Sequence, residues 1–381
     1  MKQVRICFVG TDPNFDGGIS LYKKNIIKYL KKNRKDAEIT WVYTGKESKT
    51  YLKDNVKYVE IKNNFPYPLS QTADNFKILK YLKKNNFEII NSHAVWGEWM
   101  RSYKKRNNQK LIHTYHGVTY NFFKIHMERF SFIKKILISP MLLFSYLIEK
   151  PPIKKADKIV CVAEKIKEEL EELYKTKREM EVLRTGVDLK DFNIKNKEAV
   201  RKKLILQKDR TYGLYIGNGG YWRKGLDRAV KISEEVYKKD KNYHLIVIGA
   251  DYKKVKKIIE NKEFLTYYPK VPREDIPLYY SASDVFFCFS RYEGGAPIMV
   301  TSEAMASGCL LVCSKDSKQE IIEDNKNGLI IESFDENDAE RVIKILNDEK
   351  NKKKIIKNSI KTIKELSLEK WGKKYLDILI S

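Results

Sequence analysis

The chain has 381 residues, with 75 Lys or Arg against 50 Asp or Glu, a formal net charge of +25. That length accommodates two domains with large cores, and no window approaches the ~18 consecutive apolar residues of a membrane span. The N-terminus, MKQVRICFVG, runs straight into a strand pattern, so no signal peptide is expected. Cys7, Cys161, Cys288, Cys309 and Cys313 all lie in apolar, strand-like runs and form no CxxC pair. Buried, reduced thiols in a cytoplasmic protein are therefore expected, not a zinc or disulfide framework. The positive charge favours nucleic acid or an anionic membrane surface as partner. Because the lysines are dispersed, a merely well-solvated surface explains them equally well.

In chain order, VRICFVG (Val4 to Gly10) reads as a buried strand. TDPNFDGGIS follows, and then a helical period from Leu21 to about Lys32. The Gly17-Gly18 pair at this junction either lets backbone approach a ligand or closes a plain tight turn. EITWVY, VKYVEI, a helix near Asp74 to Lys84, FEIINSH and KLIHTYH then alternate. This rhythm predicts an α/β fold with a parallel sheet covered on both faces. Ligands of such sheets bind beyond the carboxyl ends of the strands, where His93 and His116 both fall. Tyr120 to Pro152 mixes aromatic and aliphatic residues with Lys124, Arg129, Lys134, Lys135 and Lys150, and contains Pro140. It reads as a segment lying in a membrane interface, the favoured reading, or as a helix pair packed on the first domain. A strand and a Glu-rich helix lead to EVLRTGVDLKDF, which places a first domain at residues 1–190 and a second at 191–366, with a last helix at 367–381.

The second domain opens with a helix and TYGLYIGNGGYWRKGLDRAV. The Gly217-x-Gly219-Gly220 spacing is not a dinucleotide fingerprint, and no Walker A sequence occurs. The stretch does place Arg223 and Lys224 at a helix start, where two cations beside free N–H groups could neutralise a diphosphate. Further on, DVFFCFS (Asp284 to Ser290) reads as a buried strand, and RYEGGAPIMVTSEAMASG (Arg291 to Gly308) as a glycine loop and a short helix from about Pro297 to Ser307. Free N–H groups and a positive helix end at a strand's carboxyl edge attract anions, whereas Glu293 and Glu303 suit hydroxyls. A nucleotide sugar has phosphates in the middle and hydroxyls at both ends. Glu293 also reads simply as a solvated loop carboxylate. CLLVCS, a helix at SKQEII, NGLIIES and Lys-rich helices complete the chain, without an Asp-rich metal motif.

The stretch from Arg291 to Gly308 resembles the signature of the retaining GT-B glycosyltransferases of family 4 (glycosyl transferases group 1). That pattern is Glu, seven residues, Glu, then Ala-Met/Leu-Ala-x-Gly; here nine residues separate Glu293 from Glu303. The resemblance implies two Rossmann-like parallel-sheet domains facing across a cleft, the nucleotide on the second, the acceptor on the first, and the last helix crossing back. It implies that Glu303 accepts hydrogen bonds from ribose hydroxyls, and that Glu293 with the backbone of Gly294, Gly295 and Ala296 holds the donor sugar. Lys224 would bind the diphosphate; Asn218 stands where Arg is usual, and Arg223 would supply that charge. Met299 and Val300 open the helix that faces the leaving diphosphate, and backbone near Val271 meets the base. In the first domain, Gly18 would face the sugar, and His116, in a T-x-H-G position, would lie near the sugar and phosphate. His93 matches the second His of an H-x-H pattern, with Asn91 in place of the first.

The reaction so implied moves a sugar from a nucleoside diphosphate sugar to an acceptor hydroxyl with retained configuration. No cofactor, metal or protein base is expected. The acceptor would be a glycan or lipid-linked group, in glycan, glycolipid or cell-surface polysaccharide synthesis, with peripheral contact through residues 122–148 at the inner face of a membrane. A nucleotide-sugar epimerase of the same architecture is the competing enzyme. A basic polyanion-binding protein is the competing non-enzyme, but no nucleic acid is expected as partner, because clustered basic side chains with exposed aromatics are missing.

Overall fold

The computed structural model describes residues 3–15, 17–65, 70–217, 220–249, 252–294, 298–317 and 319–381, the side chains of 70–73 excepted. The chain divides into two compact units, Met1–Arg184 with Trp371–Ser381, and Thr185–Lys370.

The first unit is built on β1 (Val4–Gly10), β2 (Ala37–Gly45), β3 (Lys49–Lys53), β4 (Val56–Lys62), β5 (Ile89–His93), β6 (Lys110–Tyr115), β7 (Lys158–Cys161) and β8 (Glu181–Val182). They form one sheet in the order β3-β4-β2-β1-β5-β6-β7-β8. Cys7, Phe8 and Val9 in the middle of β1 are fully buried, as expected of a parallel strand covered on both faces. The antiparallel β3 departs from the expected all-parallel sheet. Asp54 and Asn55 both take left-handed backbone, φ 50° and 55°, between the paired Lys53 and Val56. That is the two-residue turn whose twist matches a hairpin. All five cysteines are buried and free.

The closing helix, Leu368–Ile380, brings Trp371 and Tyr375 into this unit. The Trp371 ring meets Tyr22 edge-on at 4.9 Å, and Asn91 Nδ2 donates to the Tyr375 hydroxyl at 2.9 Å.

The segment after β6 forms two helices, Thr119–Met127 and Phe132–Lys155. The second is fully buried only in its later turns, at Ser145, Ile148, Glu149 and Pro151–Ile153, whereas Phe132, Ile133, Ile136, Leu137 and Leu143 are exposed. No helix among the described residues is long and apolar enough to cross a membrane.

The second unit carries β9 (Thr211–Ile216), β10 (Tyr243–Ile248), β11 (Leu265–Tyr268), β12 (Val285–Cys288), β13 (Leu310–Ser314) and β14 (Leu329–Ile331), all parallel, in the order β11-β10-β9-β12-β13-β14. Among the described residues of SKQEII, which leave out Lys318, the expected helix does not form. A 3-10 turn, Lys315–Ser317, ends at its first residue, and Asn327 takes over the backbone nearby, accepting from Glu323 N at 2.8 Å and donating to Ile321 O at 2.9 Å. Such side-chain bonds offer the chain an alternative to helix.

The order changes direction between β1 and β5 in the first sheet, which also carries the β3/β4 hairpin at its edge, and between β9 and β12 in the second. In open parallel sheets ligands bind beyond the carboxyl ends of the strands at such reversal points.

Candidate active site

At the second unit's reversal point, β9 leads through a glycine loop to a four-residue helical turn, Tyr221–Lys224, and on to helix Leu226–Lys239. Gly225 joins them with φ 73°, and a Cβ there would collide with the Phe289 carbonyl. Only glycine meets both demands, so the Arg223-Lys224 turn lies directly against the loop that leaves β12. Lys224 Nζ is 2.5 Å from Glu293 Oε1. Arg223 Nη1 donates to Tyr292 O at 3.1 Å and lies 3.5 Å from Glu293 Oε2. Burial raises the Glu293 pKa, but Lys224 and then Arg223 outweigh it and hold the carboxyl below its ordinary range. Glu293 is therefore a buried anion paired with two cations, not a solvated loop carboxylate.

Two further arginines adjoin this group. Arg291 pairs with Asp227 through both guanidinium nitrogens, the closer at 2.6 Å, and lies over the Trp222 ring at 4.6 Å. Arg228 reaches the Phe289 carbonyl at 3.3 Å and Asp316 at 2.7 Å. Sequence reasoning passed over both, although Arg291 opens the signature stretch and Arg228 follows Lys224 by one helical turn.

The helix after the loop runs Met299–Ala306 with Ile298 as an extended N-cap, so it starts later than the expected Pro297. Its first residues, Met299 and Val300, are half-buried, as is Gly294 in the loop. Asn218, Gly295, Ala296 and Pro297 lie outside the described residues. Glu303, one turn in, is 2% exposed. Arg273 grips both of its oxygens, one at 3.1 Å, and the Tyr280 hydroxyl donates to Oε2 at 3.2 Å. Arg273 was not foreseen. Val271, two residues before it, is half-buried against the core.

At the first unit's reversal point, Gly18 opens helix Gly18–Asn33, with open space where a side chain would stand. Lys23 on that helix is fully buried; its Nζ donates to Thr11 O at 3.1 Å and lies 4.0 Å over the Trp41 ring. Burial holds its pKa well below the ordinary lysine value. His93 at the end of β5 and His116 just beyond β6 meet at 3.0 Å, Nδ1 to Nε2, with the Tyr22 ring edge-on to His116 at 4.7 Å. Burial, reinforced by Lys23, pushes both imidazoles down, so the pair is neutral at physiological pH. One ring then donates to the other.

The loop carrying His116 is tethered from the helix Phe132–Lys155. Buried Glu149 accepts from Thr119 N at 2.9 Å on both oxygens and from Thr119 Oγ1 at 2.5 Å. Burial raises the Glu149 pKa from 4.5 to about 7, although the Thr119 bonds favour the anion. A raised carboxyl contributes its stability below the unfolded value and loses it as pH climbs through the folded one. Between pH ~4.5 and ~7 the loss should reach roughly 3 kcal/mol. Urea unfolding of wild type and E149Q at pH 5 and pH 8 checks this: the difference between the two proteins should shift by that order, and a constant difference contradicts it.

Residues 16–191 match the model of Glycosyltransferase Family 4, and residues 196–362 match that of Glycosyl transferases group 1. The chain is a group 1 glycosyltransferase. The transferase is 25% identical over 361 residues to an uncharacterized glycosyltransferase of Methanocaldococcus jannaschii, covering 93% of this chain and 92% of the relative. In structure it is similar to sucrose-phosphate synthase from Thermosynechococcus elongatus, with TM-score 0.82 and 17% identity over 99% of this chain and 98% of that one. It is also similar to Anabaena HepE crystallised in complex with UDP-glucose, with TM-score 0.72 and 13% identity over 99% and 100%. These likenesses establish the transferase fold as GT-B.

Proposed function

We propose that this transferase moves a sugar from a nucleoside diphosphate sugar to an acceptor hydroxyl with retained anomeric configuration, in the synthesis of a glycan, glycolipid or cell-surface polysaccharide. The observation that carries the reading is the cluster of Lys224, Arg223 and Glu293 at the β9/β12 reversal, beside the start of the Met299–Ala306 helix. When the bond from the sugar's anomeric carbon to the diphosphate oxygen breaks, negative charge grows on the diphosphate. Lys224, Arg223 and the helix N–H groups stabilise that charge. The acceptor oxygen bonds to the anomeric carbon on the same face, and its proton passes to the departing phosphate oxygen, so no protein base is assigned. Glu293 with Gly294, Gly295 and Ala296 holds the sugar, and Glu303 the ribose. Backbone near Val271 meets the base, and Asn218 belongs to the donor-binding set where Arg is usual, with Arg223 supplying that charge. On the first unit, Gly18 and the neutral His116 serve the sugar and acceptor. Labelled donor incubated with and without glycolipid or glycan acceptors tests the reading. Acceptor-dependent transfer is expected; interconversion of the free nucleotide sugar instead marks an epimerase.

The acceptor side is proposed to work at an anionic membrane surface. Phe132, Ile133, Ile136, Leu137 and Leu143 are exposed on a helix that also carries exposed Lys134 and Lys135, with Lys124 exposed on the preceding helix. Each such cation contributes about 1 kcal/mol near anionic lipid. Phe122 and Phe123 are half-buried and ring-paired at 5.8 Å, so the later helix presents the apolar contact. Wild type should float with anionic liposomes at low salt and less at high salt. Combined Phe132→Ser, Leu137→Ser and Lys134→Glu should abolish flotation; unchanged flotation removes this segment as the anchor.

A further inference from the structure

We infer that Arg273 is the positioning residue that fixes Glu303 for the donor's ribose, an inference that rests on the nucleotide-sugar reading above. Glu303 is 2% exposed, deep enough that an unpartnered carboxylate there would be costly and would turn away. Arg273 prevents this by pairing Nη1 with Oε2 at 3.1 Å and Nη2 with Oε1. The guanidinium is itself held, 5.0 Å over the Phe192 ring. Tyr280 completes the frame. Burial, and then Glu303, push its pKa well up, so its hydroxyl stays protonated and donates to Oε2 at 3.2 Å.

A carboxylate offers about four lone-pair positions. Among the described residues, Arg273 uses one on each oxygen and the Tyr280 hydroxyl divides its one proton between Oε2 and Val300 O, each at 3.2 Å, which leaves the second position on Oε1 without a donor. A single ribose hydroxyl fits that vacancy without displacing the arginine. Displacement is disfavoured, because it would strand a buried charge. The ribose contact therefore requires Arg273 in place, although Arg273 stands outside the signature and 30 residues from Glu303.

The pairing can be tested through the ribose itself. Isothermal titration with UDP, GDP and ADP, each beside its 2′-deoxy and 3′-deoxy forms, yields the ribose contribution as a ratio of dissociation constants. For the nucleotide that binds wild type, one deoxy form should bind about tenfold or more weakly, the loss expected of one hydrogen bond to a charged group. E303A should bring that ratio to about one, R273Q to within about threefold, and R273K to a value between R273Q and wild type, because a lysine restores charge without the two-pronged grip. Thermal unfolding reports whether each variant is folded, and R273K carries the test should R273Q not fold. A folded R273Q or R273K that keeps the wild-type ratio while E303A loses it overturns the inference alone. Wild type binding none of the nucleotides, or binding ribose and deoxyribose forms equally, overturns the donor reading or its ribose contact, and the inference with it.

Discussion

Lys224→Ala should lower turnover at saturating donor by about 10²–10³-fold, the cost of removing one preorganised charge aimed at a developing anion. Lys224 Nζ is the tightest partner of Glu293, at 2.5 Å, and its side chain is only 20% exposed. A cation so placed is little screened by solvent, and together with Arg223 it outweighs the single Glu293 charge, so the group as a whole would present net positive charge to a diphosphate. Arg223→Ala should cost less, since Arg223 sits 3.5 Å from Glu293 and also supports the Tyr292 carbonyl. The Lys224 change carries a second signature. Without its main counter-charge, buried Glu293 should titrate higher, shifting the acid limb of the rate profile upward. The fold should persist, because Arg223 still faces the carboxylate. Steady-state kinetics of both variants decide it: two losses within twofold of wild type would move the diphosphate elsewhere.

Trp371→Ala should be the most destabilising single change in the closing helix. The side chain is 2% exposed, edge-on to Tyr22 and 5.5 Å from Tyr375, itself bonded to Asn91 on β5. Truncating a buried tryptophan costs about 3–5 kcal/mol, or a fall in Tm on the order of 10 °C for a unit of this size. The effect should extend to chemistry, since Tyr22 also packs on His116. Calorimetry reads the first effect and turnover below the new Tm the second. A Tm within about 2 °C of wild type would mean that the helix is only loosely held.

Much of this was legible in the chain because the features are local. Apolar runs announced the buried strands, and the chain set Arg223-Lys224 behind a glycine loop, where the structure pairs both with Glu293. The neighbouring His93 and His116 strand ends placed two imidazoles at one sheet edge. What escaped depends on long-range pairing. Arg273 meets Glu303 from 30 residues away, and Arg291 meets Asp227 from 64. Lys23 looks like any surface lysine on an amphipathic helix, yet it lies buried where Thr11 and Trp41 receive it. β3 was hidden by its lysines, although Asp54-Asn55 carried a hairpin turn in plain view. At SKQEII, a helical period lost to Asn327, whose claim on the backbone appears only after the loop has closed.

That the cations at the β9/β12 reversal hold the donor's diphosphate, as proposed, is tested most directly by isothermal titration of UDP-, GDP- and ADP-glucose into wild type and Lys224→Ala. One of the three should bind wild type at one site per chain and bind Lys224→Ala at least about tenfold more weakly, the loss of one charge-assisted bond. Equal affinity of both proteins for every nucleotide sugar would contradict the claim.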